Sequence, residues 1–144
     1  MFNIAALREY ASVKSPSVQI PPSVLLTHND QCIAIFDAFP KAKYHFLILP
    51  RHPFPPNRDV SDDDNDNNSN GQDRTSLCRL DDLNDLSSVL LRTGQGRKKI
   101  VDAMINLAQE VEEMIQDEMM KTEGFVWGVD MGFHAVPSMQ SVHL

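Results

Sequence analysis

The sequence predicts an α+β fold built on an antiparallel sheet. Short apolar runs bounded by turn residues are confined to residues 23–50, and leucine- and methionine-rich stretches at helical spacing to residues 75–115. Extended chain resumes only after Gly124. Strands and helices are therefore segregated along the chain, which favours hairpin-connected strands with helices laid against them. At 144 residues the chain is read as one domain, residues 1–144, with a modest single core.

Residues 2–11, FNIAALREYA, read as a short helix that ends before the punctuation of Pro16 and its flanking serines. Pro21 and Pro22 are expected to keep the chain extended. SVLLTHNDQCIAIFDAFP then reads as two short strands around a turn at His28-Asn29-Asp30. YHFLILP reads as a third strand, so continuously apolar that both of its faces should be buried, and Pro50 ends it for want of an N–H. Leu77, Leu80, Leu83 and Leu86 recur every three residues and predict a helix, broken at Gly94 and Gly96. A stronger helix follows. Ile100, Met104, Leu107, Ala108, Val111, Met114 and Ile115 form one apolar stripe, with Glu110, Glu112, Glu113 and Asp117 off it, and Gly124 stops it. Such a methionine-rich stripe is read as core rather than as a cofactor site. The last four residues, SVHL, begin a final strand.

Residues 55–75 form an acidic insertion expected to be disordered, with too little apolar surface to offset the entropy of ordering it. Residues 56–74 alone hold six acids and two bases, which accounts for −4 of the net charge of −7. The remainder is nearly balanced, so overall acidity does not exclude a nucleic-acid partner, but any basic footprint must be local. Lys41, Lys43 and Arg51 form one basic cluster and Arg97, Lys98 and Lys99 another. The two cysteines, Cys32 and Cys78, lack metal-ligand spacing, and Cys32 in its apolar run is read as a buried thiol in a reducing compartment. No signal peptide and no membrane-spanning run is read.

The end of the chain, GFHAVPSMQSVHL, crowds two histidines and a Pro-Ser pair. Strand alternation puts Val142 and Leu144 on one face of SVHL, and Ser141 and His143 on the other. Ser138 and a protonated His134 have the chemistry to bond an anionic oxygen.

Residues 32–51, CIAIFDAFPKAKYHFLILPR, resemble the N-terminal signature of the histidine-triad (HIT) nucleotide-binding superfamily. In that pattern an apolar strand ends in Asp, a Pro-containing turn follows, and a His opens a strand that ends in Pro. The PKAKYH turn together with GFHAVPSM is similar to the aprataxin branch, which removes AMP from abortively ligated 5′ DNA ends. The resemblance implies a HIT-like antiparallel sheet of about five strands with packed helices. It also implies nucleotidyl hydrolysis through a covalent AMP–histidine intermediate, with no metal or cofactor and with AMP as the bound product.

Carried over by position, Asp37 matches the acid that bonds the ribose hydroxyls, and Ile35 and Phe36 lie where the adenosine pocket is walled, the inward one depending on register. His45 matches the first-strand histidine supporting that pocket. Lys41 and Lys43 match a basic turn near the DNA backbone, and Phe2 a wedge against the terminal base pair. His134 and Ser138 match a phosphate-contacting pair, and His143 the middle triad histidine, read as assisting the phosphate. Each has a plainer reading: Asp37 as a turn residue, the lysines as ordinary surface, Phe2 as a cap on the core.

The chain also departs from the pattern. Ser141 stands at the first triad position, and the nucleophilic histidine is expected at position 145, after Leu144. The branch's C-terminal zinc finger is absent from these residues. As given, the chain is expected to be inactive, with its last strand truncated and its sheet weakened. A purine-nucleotide phosphoramidase and a non-catalytic nucleotide binder are the alternatives. The expected partners are adenylated DNA ends or a purine nucleotide, with no membrane. The protein is expected to be monomeric and nuclear, with cytoplasm as a second location.

Overall fold

The computed structural model describes residues 6–52, 54, 94–133 and 144. The insertion at 55–75, the leucine-rich stretch 75–91, Phe2, His134, Ser138, Ser141 and His143 lie outside the described residues. The elements in order are α1 (Ala6–Ser12), α2 (Pro16–Gln19), β1 (Leu25–His28), β2 (Cys32–Phe36), β3 (Phe46–Pro50) and α3 (Gly94–Glu123).

The three strands form an antiparallel meander in the order β1-β2-β3. Asn29 sets the first reversal. Its Oδ1 accepts the backbone N–H groups of Gln31 and Cys32 at 2.9 and 2.7 Å, the Asx-type turn its short carbonyl side chain favours. A bulge between Leu25 and Thr27 interrupts β1. β2 and β3 pair in unbroken register, with Ile33 opposite Leu49, Ile35 opposite Leu47 and Phe36 opposite Phe46.

The sheet separates two apolar clusters, which explains why β2 and β3 are apolar at nearly every position. Cys32, Ala34 and Ile48 face α3, where Ile100, Met104, Leu107, Ala108, Val111, Ile115 and Met119 bury one stripe. Ile33, Ile35, Leu47 and Leu49 face the other way and pack with Leu7 and Ala11 of α1 and with Ile20. Each such fully buried aliphatic side chain contributes roughly 1.5–3 kcal/mol.

Four details differ from expectation. Pro21 and Pro22 open a turn rather than an extended run: the Pro21 carbonyl accepts the N–H groups of Val24 and Leu25 at 2.9 and 3.0 Å. Pro16 starts a short helix, since its fixed φ suits a first helical position. Gly94 and Gly96 lie in the first turn of α3 instead of before it. Met114 is 44% exposed while Met119 is buried, because the stripe that meets the sheet drifts around the helix over its 30 residues. The helix ends as expected. Gly124 takes φ = 77° and donates its N–H to Met120 O at 3.2 Å, a left-handed cap that glycine adopts without steric cost.

Arg51 and His52 tie α1 to the sheet. The Arg51 guanidinium donates to the carbonyls of Val13, Lys14, Asn29 and Asp30, and the His52 N–H to Ala11 O at 2.8 Å. Arg51 therefore leaves the basic cluster assigned to it, because its donors are spent on backbone carbonyls.

Candidate functional site

The hairpin joining β2 to β3 carries the residues singled out for chemistry. β2 ends at Phe36, and Asp37 follows at the point where ladder pairing gives way to the turn. One backbone bond runs from the Asp37 N–H to His45 O at 3.1 Å and closes the loop. Asp37 Oδ1 accepts the Phe39 N–H at 2.9 Å, and Oδ2 lies 3.3 Å from His45 Nδ1. Both side chains are partly buried, 18% exposed for Asp37 and 24% for His45. The turn reading of Asp37 is therefore met by one oxygen, while the other lies beside the histidine.

His45 Nδ1 also accepts the Lys41 N–H at 3.1 Å. A ring nitrogen that accepts a hydrogen bond bears its lone pair, so the neutral imidazole carries its hydrogen on Nε2. The hairpin therefore holds an imidazole whose outer nitrogen is a donor.

Register puts Ile35 and Phe36 on opposite faces. Ile35 is 2% exposed and packs on the α1 side. Phe36 is 42% exposed and stacks obliquely on Phe46, ring centroids 5.1 Å apart, on the α3 side. The two lie on opposite faces of the sheet. Lys41 is exposed and Lys43 forms an ion pair with Glu123 at the end of α3. Tyr44 stacks near Trp127, centroids 5.9 Å apart, and its hydroxyl lies 3.3 Å from Thr122 Oγ1. Sequence reasoning missed Glu123, Thr122 and Trp127 as neighbours of this turn, since some 80 positions separate the partners and no local pattern links them.

The end of the chain reaches the same strand. Ile48 N–H donates to Leu144 O at 2.8 Å, and Leu144 N–H returns the bond to Ile48 O at 3.1 Å. This reciprocal pair is the narrow rung of an antiparallel ladder, made on the edge of β3 away from β2. Leu144 packs with the α3-side cluster, as does Ile48 opposite it.

The hairpin thus brings an acid and a histidine side by side at the edge of an α+β sheet. The family model of the HIT domain matches residues 19–75, which include β1, β2, Asp37, His45 and β3. A HIT domain-containing protein of Dictyostelium discoideum is 26% identical over 121 residues, covering 84% of this chain and 23% of that relative. The chain spans under a quarter of the length of the curated relative it matches. No solved structure matches significantly. Over residues 19–75 this chain is thus similar to HIT domains.

Proposed function

We propose that this chain carries the nucleotide site of an aprataxin-like hydrolase, which removes AMP from 5′-adenylated DNA ends. The observation that carries the reading is the Ile48–Leu144 rung. It ties Leu144, the residue that follows His143 in the sequence, to the strand that His45 opens.

Alternation supports a division of labour. Leu144 packs on the α3 side, so a strand continuing its register would turn alternate positions toward the face of Ile35 and Leu47. On this reading Ile35 walls the nucleotide, Asp37 accepts hydrogen bonds from the ribose hydroxyls, and His45 steadies the hairpin while offering its Nε2–H. His134 and Ser138 donate to the phosphate, and Ser141 takes the place of the first triad histidine. Lys41 and Lys43 face the DNA backbone, with Lys43 exchanging its partner Glu123 for a phosphate, and Phe2 abuts the terminal base pair.

An imidazole of the histidine strand attacks the adenylate phosphorus. A P–N bond forms, the bond to the DNA 5′-phosphate oxygen breaks, and the DNA leaves as a 5′-phosphate. Water then attacks the same phosphorus, breaking P–N to release AMP and the free imidazole. Donors around the phosphoryl oxygens stabilise the charge in both steps. No group other than side chains and water is required, and the nucleus is the site of action this implies.

The test uses a 5′-adenylated nick with two chains, residues 1–144 and the same chain continued through a histidine at 145. AMP release by the continued chain is expected, and peptide mapping of the trapped adenylyl adduct tells whether His143 or residue 145 carries it. If the continued chain folds yet forms no adduct and frees no AMP, the reading is wrong. A purine-nucleotide phosphoramidase would instead cleave a small adenosine phosphoramidate and ignore the nick.

A further inference from the structure

We propose that the aromatic row Tyr44–Trp127–Phe125 is a docking site for an arginine-bearing segment of a partner protein. The rings of Tyr44 and Trp127 have centroids 5.9 Å apart at 43°, and those of Trp127 and Phe125 lie 5.4 Å apart at 51°. Phe125 is 58% exposed and Trp127 37%, and Val126 and Met131 of the same segment are open as well. One open apolar side chain needs no explanation, but a group of them marks an interaction surface, and aromatic residues dominate the energetics of such surfaces.

Charge selects the occupant. A cation already stands over one ring of the row: Lys43 Nζ lies 5.7 Å from the Tyr44 centroid, neutralised by Glu123. Glu118 and Asp130 each line a cavity together with Tyr44, and neither carboxylate forms an ion pair among the described residues. Two uncompensated carboxylates beside open rings repel phosphate and attract a cation. A guanidinium fits best, because it is planar, weakly hydrated, stacks on aromatic faces and reaches carboxylates with its edge N–H groups. The surface is built from Tyr44, Glu118, Phe125, Trp127 and Asp130, none of them a residue of the nucleotide site proposed above, and the inference does not rest on that reading.

Trp127 is the single tryptophan of the chain, so its fluorescence reports on the row alone. An acetylated peptide amide of sequence GRGRG is titrated into the full chain at low salt. A saturable change with a Kd tighter than about 1 mM is expected, weakening at least about threefold in 0.5 M salt. The same peptide with citrulline for arginine keeps the shape without the charge and should bind at least about tenfold more weakly; the lysine peptide should fall between the two. Phe125→Ser removes an open ring, and the pair Glu118→Gln and Asp130→Asn removes the two charges. Each variant should weaken the arginine peptide at least about threefold without moving the urea midpoint. Absence of a saturable change, equal binding of the citrulline peptide, or affinity untouched by both variants overturns the proposal. So does tighter quenching of Trp127 by oligothymidylate than by the arginine peptide at the same salt, which would show that the row stacks bases instead.

Discussion

Asp37 Oδ2 and His45 Nδ1 lie 3.3 Å apart across the β2–β3 hairpin, while the other Asp37 oxygen holds the Phe39 N–H. One carboxylate oxygen thus fixes the turn, and the other lies beside the imidazole that the Lys41 N–H holds. Asp37→Ala should lower stability by about 0.5–2 kcal/mol, the worth of the lost turn bond, and weaken AMP binding by roughly tenfold or more. Asp37→Asn keeps a carbonyl for Phe39 and should recover most of the stability without the affinity. Urea unfolding and AMP titration separate the two effects, and equal recovery of both would mean the carboxylate charge has no part in binding.

His52 sets a pH limit on the fold. It is 5% exposed, and burial, with the Arg8 guanidinium nearby, lowers its pKa from 6.5 to about 4. The unfolded chain therefore binds this proton first as pH falls. The contribution is fully present above pH 6.5 and is lost as pH drops toward about 4, at most about 3 kcal/mol in all. His52→Leu replaces the titrating ring with an apolar side chain that takes up no proton. That variant should show a shallower fall in urea midpoint between pH 6.5 and 4 than the parent; an identical slope would rule His52 out.

The Ile48–Leu144 rung is expected to contribute measurably to the sheet. Deleting Leu144 removes two backbone bonds and a partly buried side chain, so a loss of about 1–3 kcal/mol is expected. The Ile48 amide should exchange with solvent deuterium at least about tenfold faster, while the Ile33 amide, on β2, changes only with global stability. Unchanged protection at Ile48 would show that the rung is not formed in solution.

Cys32 should be inert in the folded protein. It is fully buried between β2 and α3, and burial pushes its thiol up to about 12. In a Cys78→Ser background, an alkylating reagent at pH 8 should label Cys32 only at the rate of unfolding, and fast labelling would contradict the packing.

Much of the sheet was legible from the residues. The turn at Asn29, the strand ending at Pro50 and the cap at Gly124 each rest on local chemistry: a side-chain carbonyl, a missing N–H, a left-handed φ. The β2 and β3 strands were legible because two apolar clusters demand apolar residues at every position. The face assignment of Ile35 and Phe36 was not, because their alternation is the same in either register. Nor was the fate of Arg51, which reads as surface charge until four carbonyls from two distant loops converge on it.

The sequence alone determined which side chains could do chemistry, Asp37 and His45 on one hairpin and the histidine-rich end of the chain, because composition and spacing are local properties. Tertiary structure alone decided that Leu144 pairs with Ile48, that Lys43 meets Glu123 and that Tyr44 meets Trp127. Those outcomes depend on how a long helix seats against a twisted sheet, and that seating is set by the summed packing of residues far apart in the chain.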